Sequence, residues 1–302
     1  MKKTGKMILA GAVSLTAAAG VLADDLPNYV VTPLGDLPGG DFFSRAFDIN
    51  DKGMIVGSSK SLTDDIRQEA VRWKPGSTEP EMLSGVGDFD FSRAQTVNND
   101  GLVGGYRDNI GETQRAWLWD ANNGLDFFLD DVNDPATDYG DTFEWYDYVN
   151  DPDISFSRMG QVTNVGKVVG WLRFSDLDSG TRGYVYDIDS ETRMILDPIG
   201  PDGNQSLGQT MNDFQLVVGS ASELPDRERP FRDAVAWSTG LTMPNLLPGL
   251  GAFSGYEDTG AVHVTDDGVI VGGAGNRDLD NTLYAQNENW IWSPSTQLGE
   301  SM

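Results

Sequence analysis

The chain contains no cysteine and a single histidine, His263, among 302 residues. That excludes disulfide stapling, thiol chemistry, Cys/His zinc sites and c-type haem attachment. Positive charge is scarce as well: 21 Lys and Arg stand against 47 Asp and Glu, a formal net charge of −26. A field of that sign repels nucleic acid and anionic lipid, so neither is an expected partner. Helical periodicity is missing throughout, and no segment after the first turns of sequence is apolar for long enough to span a bilayer.

The start of the chain is the exception. Lys2, Lys3 and Lys6 precede an apolar stretch from Met7 that closes on Val21-Leu22-Ala23. The stretch is short and rich in Ala and Gly for a membrane span, and it ends in the small residues a signal peptidase reads. Residues 1–23 therefore read as a secretory signal peptide. Residues 24–302 read as one repeat domain with no membrane span after cleavage, in a secreted or periplasmic protein.

What fills the rest is repetition. Phe43-Ser44-Arg45 returns as Phe91-Ser92-Arg93 and Phe156-Ser157-Arg158. Each copy runs into an Asn, Asp or Gly turn and then an apolar run that ends in Gly: Gly57, Gly104, Gly170, Gly219 and Gly272 over five copies, the second copy one residue shorter. A closing aromatic follows in each, at Trp73, Trp119, Tyr186, Trp237 and Trp292. The apolar runs are short, rich in Val, Ile and aromatics, and bounded by turn residues, which is strand grammar. Four short strands per unit, at a period of about 50 residues, is the signature of a β-propeller blade. The expected fold is all-β, a β-propeller of five four-stranded blades near residues 36–84, 85–130, 153–197, 198–247 and 248–293. Residues 29–35 (Tyr29 to Gly35) are expected to supply the last strand of the fifth blade and so close the ring. An acidic, aromatic insertion occupies 130–152.

Candidate functional residues lie both in the repeat and in the insertion. Arg45, Arg93 and Arg158 are equivalent, whereas the fourth and fifth copies carry Leu207 and Gly260 there. Three guanidinium groups at one end of a propeller suit an anion, or else pair with Asp41, Asp90 and Asp153. Three residues further on, Asp48, Thr96, Gln161, Thr210 and His263 are polar in every copy and are candidates to line a central channel. A propeller glycosidase needs paired acids there, and only Asp48 is acidic; His263 has no nucleophile motif to serve. Asp130, Asp131 and Asp134 in the insertion are a candidate calcium cluster, without an EF-hand pattern. Trp145 and Tyr146 beside these carboxylates suit sugar or polar-ligand recognition. No other cofactor is implied. The closing aromatics read as core between blades.

With the copies aligned, the chain resembles the bacterial extracellular HAF repeat, whose units run Leu-Gly-x-Leu-Gly-Gly, Ser-x-Ala-x-x-Ile-Asn, Gly-x-Val-Val-Gly and His-Ala-Phe-x-Trp. Leu34-Gly35 with Leu37, Gly39 and Gly40 matches the first element, Ser44, Ala46, Ile49 and Asn50 the second, Gly53, Ile55, Val56 and Gly57 the third, and Ala116-Trp117-Leu118-Trp119 the last. The histidine of the final element is replaced by Glu69, Arg115, Arg182 and Asp233. The resemblance implies an exported repeat protein and no particular reaction. Together with the residues it points to a non-enzymatic binding or surface-interaction module for carbohydrate or an extracellular protein. The alternatives are an extracellular glycoside hydrolase and a purely structural repeat domain.

Overall fold

The computed structural model describes residues 30–39, 43–61, 68–83, 91–108, 114–126, 154–174, 180–200, 203, 205–222, 232–238, 240–247, 258–277, 284–295 and 299–301. The chain divides into Met1–Pro33 and Leu34–Met302. Of the first unit only 30–33 are described, and they carry no regular structure. The expected signal peptide, the insertion with Asp130, Asp131, Asp134, Trp145 and Tyr146, and the acidic partners Asp41, Asp90 and Asp153 lie outside the described residues.

The second unit is all-β. Its described residues form five consecutive four-stranded antiparallel sheets, each built from strands that are neighbours in sequence. The first sheet holds β1 (Ser44–Ile49), β2 (Ile55–Ser59), β3 (Glu69–Trp73) and β4 (Pro80–Met82). The second holds β5 (Phe91–Val97), β6 (Val103–Asp108), β7 (Arg115–Asp120) and β8 (Gly124–Asp126), and the third β9 (Ile154–Val162), β10 (Lys167–Phe174), β11 (Thr181–Asp187) and β12 (Thr192–Leu196). The fourth holds β13 (Ser206–Met211), β14 (Val217–Ser222), β15 (Arg232–Trp237) and β16 (Asn245–Leu246), and the fifth β17 (Asp258–Val264), β18 (Ile270–Arg277), β19 (Tyr284–Trp292) and β20 (Gly299–Ser301). No helix among the described residues is long and apolar enough to cross a membrane.

The hairpin between first and second strands explains the Asn-Asp-Gly text. Gly53 N donates to Asn50 O and Asn50 N to Met54 O, a turn whose last residue must take positive φ. Gly53, Gly101, Gly166 and Gly268 take it, whereas the fourth repeat forces Gln215 to φ 63°.

Two readings of the sequence need correction. The fourth strand of the fifth sheet is β20, from the C-terminal residues, which pairs Gly299 with Trp292 and Ser301 with Trp290. It is not the segment near residues 29–35. That part of the chain leads instead onto the first sheet: Gly35 N donates to Thr78 O at 2.7 Å, Trp73 Nε1 to Gly35 O at 3.2 Å and Leu37 N to Ser59 Oγ at 2.9 Å. The same pattern recurs where the third sheet ends against the fourth, with Asp197 N to Thr242 O and Trp237 Nε1 to Asp197 O. Gly35 thus takes, on the first sheet, the place that Asp197 takes on the fourth.

The second correction concerns register. Ala94 pairs with Gly105 as Ala46 pairs with Gly57, so Gly105, not Gly104, is the closing glycine and the second copy is not short. In every sheet the first strand carries a bulge at one place, between Ala46 and Asp48, Ala94 and Thr96, Met159 and Gln161, Gly208 and Thr210, or Ala261 and His263. The bulge presses a carbonyl against the second strand, where a side chain at Gly57, Gly105, Gly170, Gly219 or Gly272 would overlap it.

Apolar clusters join each sheet to the next. Trp119 packs with Val56, Ala70 and Leu83 of the first sheet, Tyr186 with Ala116 and Leu118 of the second, Trp237 with Val169 and Leu196 of the third, and Trp292 with Val218 and Leu247 of the fourth. Trp73 packs on Leu37 and Leu34. Hydrogen bonds repeat across the same boundaries. The serine of the Phe-Ser-Arg text, or its equivalent, accepts from the third strand of the preceding sheet: Ala70 N to Ser92, Ala116 N to Ser157, Gly183 N to Ser206 and Ala234 N to Thr259, at 2.8–2.9 Å. Asn50, Asn98 and Asn212 donate to the carbonyls of Asn98, Thr163 and Thr265 one repeat on.

Ser206→Ala is expected to cost about 1–3 kcal/mol, because it strips the acceptor from a buried backbone N–H. Ser238→Ala, on an exposed site, is expected to stay within about 0.5 kcal/mol. Urea unfolding midpoints check both, and equal midpoints for the two variants would remove the serine from the account.

Candidate functional site

The first strands begin on one face of the repeat array, the arginine face, and end at the Asn-Asp-Gly hairpins on the other, the turn face. On the arginine face the first three repeats place aromatic and cationic side chains in alternation. The Arg45 guanidinium lies 5.0 Å from the Phe43 ring. Arg93 lies 4.6 Å from Phe91 and 5.4 Å from Phe47 of the preceding sheet. Arg158 lies 5.1 Å from Phe156 and 4.9 Å from Tyr106 of the preceding sheet. Phe91 and Tyr106 stack at 5.9 Å. Each cation–π contact contributes about 0.5–2 kcal/mol according to its exposure.

The three arginines that the sequence singles out therefore share one face and are held by aromatic rings. Arg158 also donates from Nε to Gln114 Oε1 at 2.8 Å, and its carbonyl accepts from the Tyr184 hydroxyl at 3.2 Å. Burial pushes that hydroxyl far above the usual phenol range, so it remains a donor. Among the described residues no carboxylate forms an ion pair with Arg45, Arg93 or Arg158.

Asp48 has a different neighbour from the arginines. Its Oδ2 accepts from Val97 N at 2.9 Å, and at the same position Thr96 Oγ1 accepts from Val162 N and Gln161 Oε1 from Met211 N. These polar side chains tie one first strand to the next. Thr210 fails to make the link, and its Oγ1 is buried without a hydrogen bond. His263, the fifth member, is exposed, and its side chain makes no hydrogen bond among the described residues. It is brought neither to Asp48 nor to the arginines by any contact described.

The alternation stops between the third and fourth sheets. Gln205 and Leu207 stand where the earlier repeats have Phe and Arg, as the strand registers show: Gln205 bridges Thr181 as Phe91 bridges Gln68, and Leu207 faces Ser220 as Arg158 faces Trp171. Here a pocket of about 180 Å³ opens, lined by Phe156, Trp171, Arg173, Thr181, Gln205, Leu207 and Arg232. Arg232 reaches Asp258 Oδ2 at a long 3.6 Å, and its Nε is buried without a hydrogen bond. Among the described residues that line the pocket there is no carboxylate.

Sequence reasoning missed Trp171, Arg173, Gln205 and Arg232. The usable signal was the second-strand partner of the repeat arginine, which is Ser58 opposite Arg45 but aromatic opposite the other two, Tyr106 for Arg93 and Trp171 for Arg158.

A second pocket, of about 160 Å³, lies toward the turn face near Lys167, Asp187, Arg193 and Met211. The one carboxylate among the described lining residues is engaged: the hydrogen bond from Lys167 holds Asp187 below the ordinary carboxylate range. Among the described residues no group of three or more acidic or His side chains is placed to hold a metal.

No family model and no curated protein matches the chain. Among solved structures, the β-propeller domain of the Trilobed protease from Pyrococcus furiosus, described as having an open velcro topology, is similar at 14% identity. The match covers 86% of this chain and 71% of that one with a TM-score of 0.44. A likeness of that size assigns no activity to this chain.

Proposed function

We propose that the protein is an exported, non-enzymatic binding module for extracellular carbohydrate, built on a five-bladed propeller of the HAF-repeat type. One observation carries the reading: the arginine face gathers Phe, Tyr, Trp and Arg side chains around a pocket of about 180 Å³, and the described residues that line it include no acid. Aromatic platforms flanked by hydrogen-bonding side chains suit a sugar ring. Hydrolysis by the usual route needs two carboxylates astride the bond, and the described lining residues offer none. Export is supported by Lys2, Lys3 and Lys6 ahead of the apolar stretch.

Closure of the five sheets into a ring belongs to the same proposal. Ala46 and Ile49 are exposed on the first sheet, Ile49 at 60%, although Ala94, Val97, Ala261 and Val264 at equivalent positions are buried. The residue types at the open position match those that are packed elsewhere, which supports the fifth sheet docking there.

A saccharide array probed with the full chain tests the function. Retention on at least one saccharide class, without release of reducing ends, is the expected result. Reducing sugar released by the chain and lost in Asp48→Asn would make it a hydrolase instead.

A further inference from the structure

Tyr106 and Trp171 occupy the same place in successive sheets, each opposite the repeat arginine on the first strand. The ring of Tyr106 is covered by Arg158, which arrives from the next sheet and lies 4.9 Å from it. Among the described residues no guanidinium covers Trp171: the position that would bring one is Leu207. The space that an arginine fills one sheet earlier is the pocket of about 180 Å³, and the phenylalanine of that motif is replaced at its rim by Gln205. The repeat thus builds an aromatic platform here and leaves out the side chain that would occupy it.

We propose that this pocket is a subsite for a single sugar residue carrying one carboxylate, a uronic acid at the end of a saccharide. The inference rests on the carbohydrate-binding reading above. Trp171 and Phe156 offer ring faces for the apolar side of a pyranose. Arg173, exposed at the mouth, and Arg232, held only loosely by Asp258, supply guanidinium groups suited to a carboxylate. Thr181 and Gln205 offer hydroxyl and amide partners for the sugar hydroxyls.

Size and charge narrow the ligand further. The volume is well under the roughly 300–1,000 Å³ of pockets that enclose drug-sized ligands, so one ring enters and the remainder of the saccharide stays outside. The chain's net charge of −26 repels a polyanion at long range, whereas a lone carboxylate pays little for approach. A singly charged terminal uronate therefore fits better than a polyuronate.

Calorimetric titration of the full chain with a glucuronate-terminated disaccharide, its glucose-terminated neutral counterpart and an acidic tetrapeptide tests this. The acidic disaccharide is expected to bind, the neutral one at least 10-fold more weakly, and the peptide not at all. Leu207→Arg places the missing guanidinium over Trp171 and is expected to abolish binding. Arg173→Ala, at an exposed site, is expected to weaken binding about 10-fold. Thermal midpoints of both variants, close to that of the parent chain, would show that they are folded. Equal binding of neutral and acidic disaccharides would overturn the uronate assignment but leave the carbohydrate reading standing, and so would undiminished binding by folded Leu207→Arg and Arg173→Ala chains. Binding of the peptide alone, or of no saccharide on the array, would sink both.

Discussion

Trp237→Ala is expected to lower the unfolding free energy by about 3–5 kcal/mol, read as a fall in the urea midpoint at unchanged slope. Trp237 is fully buried where the third and fourth sheets meet, among Val169, Val185 and Leu196 on one side and Met211, Val217 and Val235 on the other. Truncation removes its transfer free energy and leaves a cavity that two strand-built walls cannot collapse to fill. It also deprives Asp197 O of the indole N–H at 3.2 Å. Met243, 59% exposed, serves as the control, and its replacement by alanine is expected to change stability by no more than about 0.5 kcal/mol. Equal midpoints for the two variants would mean that the closing aromatics do not hold neighbouring sheets together.

Gly219→Ala is expected to cost about 3 kcal/mol or more, and in so regular a sheet it is expected to reduce the yield of folded protein. The added methyl group would overlap the carbonyl oxygen of Leu207 and lie 3.0 Å from its carbonyl carbon. Both obstacles are backbone, fixed by the bulge between Gly208 and Thr210, so nothing flexible can yield. Gly260→Ala is the matched comparison. Among the described residues a methyl group there meets nothing nearer than Ser220 Cβ at 3.7 Å, and its cost is expected to be small. Circular dichroism melts of the two variants separate a steric role for the closing glycine from a mere preference for small residues: similar melting temperatures would argue against the bulge as its cause.

The two substitutions also mark what a sequence discloses and what it withholds. Short Val- and Ile-rich runs broken by Asn, Asp and Gly announce antiparallel strands, and recurrence near 50 residues announces consecutive four-stranded units, because both follow from local side-chain alternation. The closing aromatics are legible for the same reason. The role of Ser92, Ser157 and Ser206 is not, since each accepts a hydrogen bond from a strand of the preceding repeat. Asp48, read as a channel residue, ties β1 to Val97 N. The glycine pair 104–105 could be placed only once the bulge fixed the register. Gly35 illustrates the same limit: its place relative to the first repeat is readable, but the partner that β19 selects, Gly299–Ser301, is a tertiary choice.

The arginines were legible as a set and illegible as a site. Their recurrence in three repeats is plain in the text, but the pocket lies where the fourth repeat abandons the pattern, with Gln205 and Leu207 in place of Phe and Arg. Scaffold positions recur because every sheet boundary makes the same demands. The position that departs from the pattern, beside an aromatic that no described guanidinium covers, is the proposed place of recognition.

Hydrogen exchange of the full chain with and without saturating glucuronate-terminated disaccharide tests that placement most directly. Added protection is expected at the arginine face between the third and fourth sheets, in peptides containing Trp171, Thr181 and Leu207, with the Asn-Asp-Gly hairpins of the turn face unchanged. Protection confined to the turn face, or none at saturating ligand, would contradict it.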